Sequence, residues 1–92
     1  MYQILPYSKR QAKKLNVNIL PSKNQNKKID VFDKKWNFIT SIGAKGYLDY
    51  PTYLKYYGKT IADKRRKLYK IRHKKDRMIK GTSGFYADKI LW

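Results

Sequence analysis

The sequence predicts an α+β fold in a single small domain: a β-hairpin packed against a long basic helix, with short helices on either side. Three observations lead there. Residues 28–32 and 36–42 are rich in Ile, Val, Phe, Trp and Thr and partly alternate, which is the period-2 pattern of strands. Residues 60–80 carry apolar side chains at helical spacing between Thr60 and Gly81. The chain has 92 residues, 41% hydrophobic and 15% aromatic, enough for one small core and too few for two.

In chain order, Ser8 has the character of an N-cap for a short helix over residues 9–15, KRQAKKL, with Ala12 and Leu15 as a thin apolar edge. Pro21-Ser22 and the polar tract KNQNKK, residues 23–28, read as a loop, so residues 1–27 form a basic arm. The hairpin spans 28–42, turns at Asp33-Lys34-Lys35 and points Ile29, Val31, Ile39 and Ile42 inward. A lone hairpin is marginal in water, so another element must cover it. Gly43 and Gly46 end the strands. Asp49 caps a short helix within 49–58, with Pro51 in its first turn and Gly58 as its stop. Thr60 and Asp63, three apart, form a weak variant of the capping box and open the main helix, which Gly81 ends. Thr82 or Ser83 caps a last helix within 83–92. Its Phe85, Ile90, Leu91 and Trp92 are too apolar for a free tail, so this segment docks on the core.

Charge dominates the composition. Lysine and arginine number 23, acids number six, all aspartate, and the formal net charge is +17. Self-repulsion on that scale is normally relieved by a polyanion. Nucleic acid is the first candidate, with DNA ahead of RNA; an acidic protein surface is the second and an anionic membrane the third. There is no cysteine, hence no disulfide and no thiolate for zinc, which suits a cytosolic or intracellular viral setting. The first residues, MYQILPYSKRQ, lack the apolar run of a signal peptide, and no stretch approaches the ~18 apolar residues of a membrane span.

Residues 64–77, KRRKLYKIRHKKDR, hold nine cations and one acid. On a wheel of ~100° per residue, Ile61, Leu68, Ile71, Met78 and Ile79 share one broad side. Arg66, Lys67, Lys70, Lys74 and Arg77 share the other. The expectation is an apolar side facing the core and a basic ridge facing water, with Asp63 pairing to Lys67 at i+4. Solvated helix faces usually mix signs, and this one barely does, so the ridge reads as five phosphate contacts. Five contacts on duplex DNA imply a salt slope near −4 to −5. Arg65, Arg72 and His73 are second choices as nucleic-acid contacts. Arg72 and Asp76, four apart at the edge of the apolar side, also suit an internal ion pair that locks helix to hairpin. Lys9, Arg10, Lys13, Lys14, Lys23, Lys27 and Lys28 form a second basic cluster.

Tyr47, Tyr50, Tyr53, Tyr56 and Tyr57 crowd into eleven residues. Such rings can stack exposed bases, but Tyr50, Leu54 and Tyr57 at i, i+4, i+7 are as well explained by a core-facing stripe. The inventory argues against an enzyme. His73 is the sole histidine and sits among cations, glutamate is absent, and GAKGY lacks the spacing of a P-loop. No cofactor, metal site or small-molecule substrate is expected.

The segments SKRQAKKL, ILPSKNQNKKIDVF, SIGAKGYLDYPTYL, ADKRRKLYKIRHKKDR and GTSGFYADKILW together resemble a family of small basic proteins found in tailed bacteriophages and giant DNA viruses of eukaryotes. The resemblance covers about residues 7–92. Its marks are the glycine turn GAKGY, the segment YKIRHKK at Tyr69 to Lys75, and the closing ADKILW. Relatives are expected to carry glycine in the hairpin turn, which DKKWN lacks. The resemblance implies viral origin and no known activity. It frames three expectations: a virion-associated protein under the capsid, an accessory protein gripping nucleic acid in the host cytoplasm, or an interaction module for acidic virion proteins. A large apolar surface patch would favour the last.

Overall fold

Alternating burial builds the sheet. The computed structural model describes residues 2–92. Its elements are α1 (Pro6–Lys14), β1 (Asn18–Pro21), β2 (Lys27–Phe32), β3 (Phe38–Ala44), α2 (Tyr50–Tyr57), α3 (Lys59–Arg72), a 3₁₀ turn (Asp76–Met78) and α4 (Ser83–Leu91). The strands form an antiparallel meander in the order β1-β2-β3, with Ile29 opposite Ile42 and Ile19 opposite Val31. Ile29, Val31 and Ile42 point one way into a core completed by Ala12, Val17, Ile90 and Leu91. The result is an α+β domain.

The α4 segment covers β3 and packs on α1, while α3 packs along α2. The apolar C-terminal segment docks as its composition requires: Thr82 Oγ1 caps α4 by accepting from Phe85 N at 3.3 Å, and Ile90 and Leu91 are fully buried. Asp49 caps α2, accepting from Thr52 N at 3.0 Å, and Gly58 stops it in a left-handed conformation.

Several expectations are corrected. The polar N-terminal arm contains a strand, β1, so the hairpin is two-thirds of a sheet. The first helix starts at Pro6, and Ser8 is no cap: its hydroxyl is buried and donates to Ile90 O at 2.9 Å, tying α1 to α4. Thr60 lies inside α3, which opens at Gly58 without a side-chain cap. The main helix ends at Arg72 rather than near residue 80. Beyond it, the chain turns back so that Asp76 lies against Gly84, where a Cβ would come within 3.0 Å of the Asp76 side chain.

The face of α3 is also reversed. Ala62 and Tyr69 are its buried residues. Ile61, Leu68, Ile71, Met78 and Ile79 are 42% to 66% exposed. On α2, Tyr50 is buried, but Leu54 and Tyr57 lie exposed, so the expected stripe is not a core face. The half-buried Tyr53 instead meets Trp92, which stacks on Tyr69 with ring centroids 4.4 Å apart and planes 6° from parallel.

Candidate polyanion-binding surface

Asp63 and Asp88 hold the side of α3 that turns inward. Asp63 accepts from Tyr50 Oη at 2.8 Å and Lys59 Nζ at 2.7 Å, and Arg66 reaches it at 3.5 Å. The Arg66 guanidinium also lies 3.9 Å from the centre of the Tyr50 ring, a cation–π contact. Asp88, fully buried on α4, takes Lys70 Nζ at 2.5 Å. Two members of the expected ridge, Arg66 and Lys70, are therefore tied into the fold. A wheel that counts only apolar side chains does not register these partners. Asp63 pairs with Lys59 and Arg66, not Lys67; the hydrogen bond from Lys59 holds its carboxyl below the usual carboxylate range.

The other acids are engaged in the same way. Asp49 is buried and accepts from Lys28 at 2.9 Å, Tyr2 at 2.7 Å and the backbone N–H and hydroxyl of Thr52. Lys28, expected in the basic cluster, is thus an internal ion-pair partner that also donates to Tyr47 O. Asp30 accepts from Ser22 and Ser41, each at 2.6 Å. Burial pushes its carboxyl up, but these hydroxyls outweigh it and the net direction is down. Asp33 accepts from Asn37 and Lys35 in the turn and is likewise held low, chiefly by the Asn37 N–H. Asp76 lies 3.6 Å from His73 Nδ1, and the expected Arg72–Asp76 pair is not made. Lys28 and Asp30, two charges inside a strand, were the sequence signal that carboxylates serve the interior.

Five of the 23 lysines and arginines touch a carboxylate among the described residues, and eighteen do not. The eight candidate contacts divide between the two flanks of α3. Arg66, Lys67, Lys70, Lys74 and Arg77 surround an open basin of about 500 Å³ together with Asp63 and Ile71. Lys67 and Lys74 have no acid partner there, and Arg77 Nε is buried without a hydrogen bond. Arg65, Arg72 and His73 line a cleft of about 800 Å³ on the other side. Its walls are α3, the Lys27 end of the sheet and the start of α4. His73 stacks on Tyr69 at 4.3 Å, extending the column begun by Trp92.

Among the described residues, no group of three or more His, Cys, Asp or Glu side chains is placed to hold a metal ion. No helix among them is long and apolar enough to cross a membrane. No family model, curated protein or solved structure matches this chain.

Proposed function

We propose that this chain is a virus-encoded accessory protein that binds nucleic acid through phosphates with little sequence specificity, DNA ahead of RNA. One observation carries the reading. Every aspartate except Asp76 accepts hydrogen bonds within the fold, and eighteen lysines and arginines are left without a carboxylate partner among the described residues. Phosphates supply the missing counter-charge. Lys67, Lys74 and Arg77 are the primary contacts, with Arg66 and Lys70 orienting the basin while bound to Asp63 and Asp88. Arg65, Arg72 and His73 offer a second row in the cleft. No catalytic step and no cofactor belong to this reading. The viral setting, in the virion or the host cytoplasm, rests on the family resemblance. The test is fluorescence anisotropy of labelled duplex DNA, single-stranded DNA and RNA across a salt series. Similar binding to unrelated sequences, with a steep salt dependence, is the expected result; no binding at low salt sinks it.

A second reading has its own support. Ile61, Leu68 and Ile71 lie exposed on α3 beside the cations, an apolar surface that phosphates do not need. It suits a minor capsid or virion component docked on an acidic protein surface. Capture of purified virion proteins, lost on changing Leu68 and Ile71 to serine, distinguishes it.

A further inference from the structure

The β2–β3 turn holds a tryptophan where the backbone favours glycine. Trp36 has φ +66°, a left-handed conformation that side chains with a Cβ avoid. Trp36 N donates to Asp33 O at 3.0 Å, and Asp33 N donates to Asn37 O at 2.9 Å. This is a β-turn closed by a left-handed bulge residue, the position at which hairpins normally place glycine. The Asp33 carboxylate holds it there, accepting from the backbone N–H of Lys35 and of Asn37 at 2.9 Å each and from Asn37 Nδ2 at 3.0 Å. A rigid turn thus presents a large ring at the cost of backbone strain, and strain of this kind is a pointer to function.

Trp36 is not alone. Its ring centroid lies 5.4 Å from that of Phe32, and Phe38 lies 5.9 Å from Phe32 on the neighbouring strand. Trp36 is 54% and Phe38 60% exposed. Phe32 alternates with Val31, so it shares the Asp30 side of β2, opposite the face that Ile29 and Val31 bury. Lys34 and Lys35 occupy the apex of the turn, exposed and without acid partners. The patch offers flat apolar faces beside positive charge. A duplex hides its base faces, and a bilayer approached apex-first would meet the two lysines before the rings. A single strand supplies unpaired bases and phosphates together.

We infer that Phe32, Trp36 and Phe38 form a stacking platform for the unpaired bases of single-stranded nucleic acid, with Lys34 and Lys35 against its phosphates. This rests on the nucleic-acid reading above and adds a preference for single strands. The decisive variant is Trp36→Gly, because glycine suits the turn and removes only the ring. The probes are a labelled 20-mer of deoxythymidine and a labelled 20-base-pair duplex. The expected result is about tenfold weaker binding of the single strand, duplex affinity within about twofold, and a melting temperature not lowered. Phe38→Ala should reproduce the selective loss. Undiminished single-strand binding in both variants, or an equal loss on both probes, overturns the platform and leaves phosphate binding standing. Failure of the unsubstituted protein to bind either probe overturns the nucleic-acid reading itself. Binding in that case to phosphatidylserine vesicles, with blue-shifted Trp36 emission, would assign the rings to a membrane surface.

Discussion

Asp49 gathers a cap, a buried ion pair and a tyrosine hydroxyl at one carboxylate, so its removal has a calculable cost. Asp49→Ala loses the α2 cap, about 1 kcal/mol. It also leaves Lys28 buried without its counter-charge, and breaking such a pair costs about 3–5 kcal/mol. Equilibrium urea unfolding should show a loss in that range, with Asp49→Asn intermediate because its amide oxygen can still cap. Lys70 behaves alike. Lys70→Glu sets two carboxylates together at Asp88 and should destabilise by several kcal/mol, whereas Lys74→Glu should change stability by less than about 0.5 kcal/mol. Equal melts for the two variants would refute the assignment of Lys70 to the interior. The lowered carboxyls of Asp30, Asp33 and Asp63 set the acid limit. A carboxyl lowered on folding contributes stability that is present above its unfolded value of about 3.9 and disappears as pH falls through the folded one. The melting temperature should therefore fall below about pH 4. Tyr69 works in the opposite sense: burial raises its hydroxyl to about 12, so its contribution holds below about pH 10 and fades as pH rises toward 12.

Elements with strong local signals were legible in the sequence. Asp49 before Pro51 and Gly58 after Tyr57 bracket α2, and the apolar density of residues 85–92 required docking. The Asp33–Lys35 turn was legible because β-branched and aromatic runs flank it. What failed depended on distant partners. Residues 18–20 carried no strand signal and Pro21 read as the start of a loop, yet Asn18–Pro21 pairs with β2, with Ile19 opposite Val31. Helix α3 showed an apolar stripe, but the neighbours that decide its orientation are Tyr50 and Asp88, which it meets through its own Arg66 and Lys70. The site inherits the same limit: the basic residue types were evident, while the loss of Arg66 and Lys70 to internal partners was not. Gly43 shows how tightly α4 closes on the sheet. A Cβ there would lie 2.8 Å from Leu91 Cδ1, and its φ is +78°. Gly43→Ala should cost about 2–4 kcal/mol, combining left-handed strain with overpacking. Gly46→Ala, also left-handed but facing open space, should cost about 1–2 kcal/mol. Thermal melts that fail to rank the two in this order would mean that α4 does not seat on β3 at this point.

At the scale of the whole molecule, charge is arranged around a body of 37 × 28 × 24 Å in which α3 divides two basic surfaces. Helix α3 is fourteen residues long, about 21 Å at 1.5 Å per residue, enough to follow several phosphates along one strand of a duplex. The basin and the cleft occupy different flanks, so a straight duplex laid on one does not use the other. This changes the salt dependence expected for duplex DNA. Five free ridge cations would give a slope of −4 to −5 in log K against log salt, at about −0.9 per phosphate. With Arg66 and Lys70 already paired, the basin supplies Lys67, Lys74 and Arg77, and its share is about −3. Each of Lys67→Glu and Lys74→Glu should make the slope shallower by about one unit while leaving the urea midpoint in place. Arg65→Glu, on the cleft side, should leave the duplex slope unchanged. If Arg65→Glu flattens the duplex slope and the basin variants do not, the duplex lies against the cleft, and Lys67 and Lys74 serve some other partner.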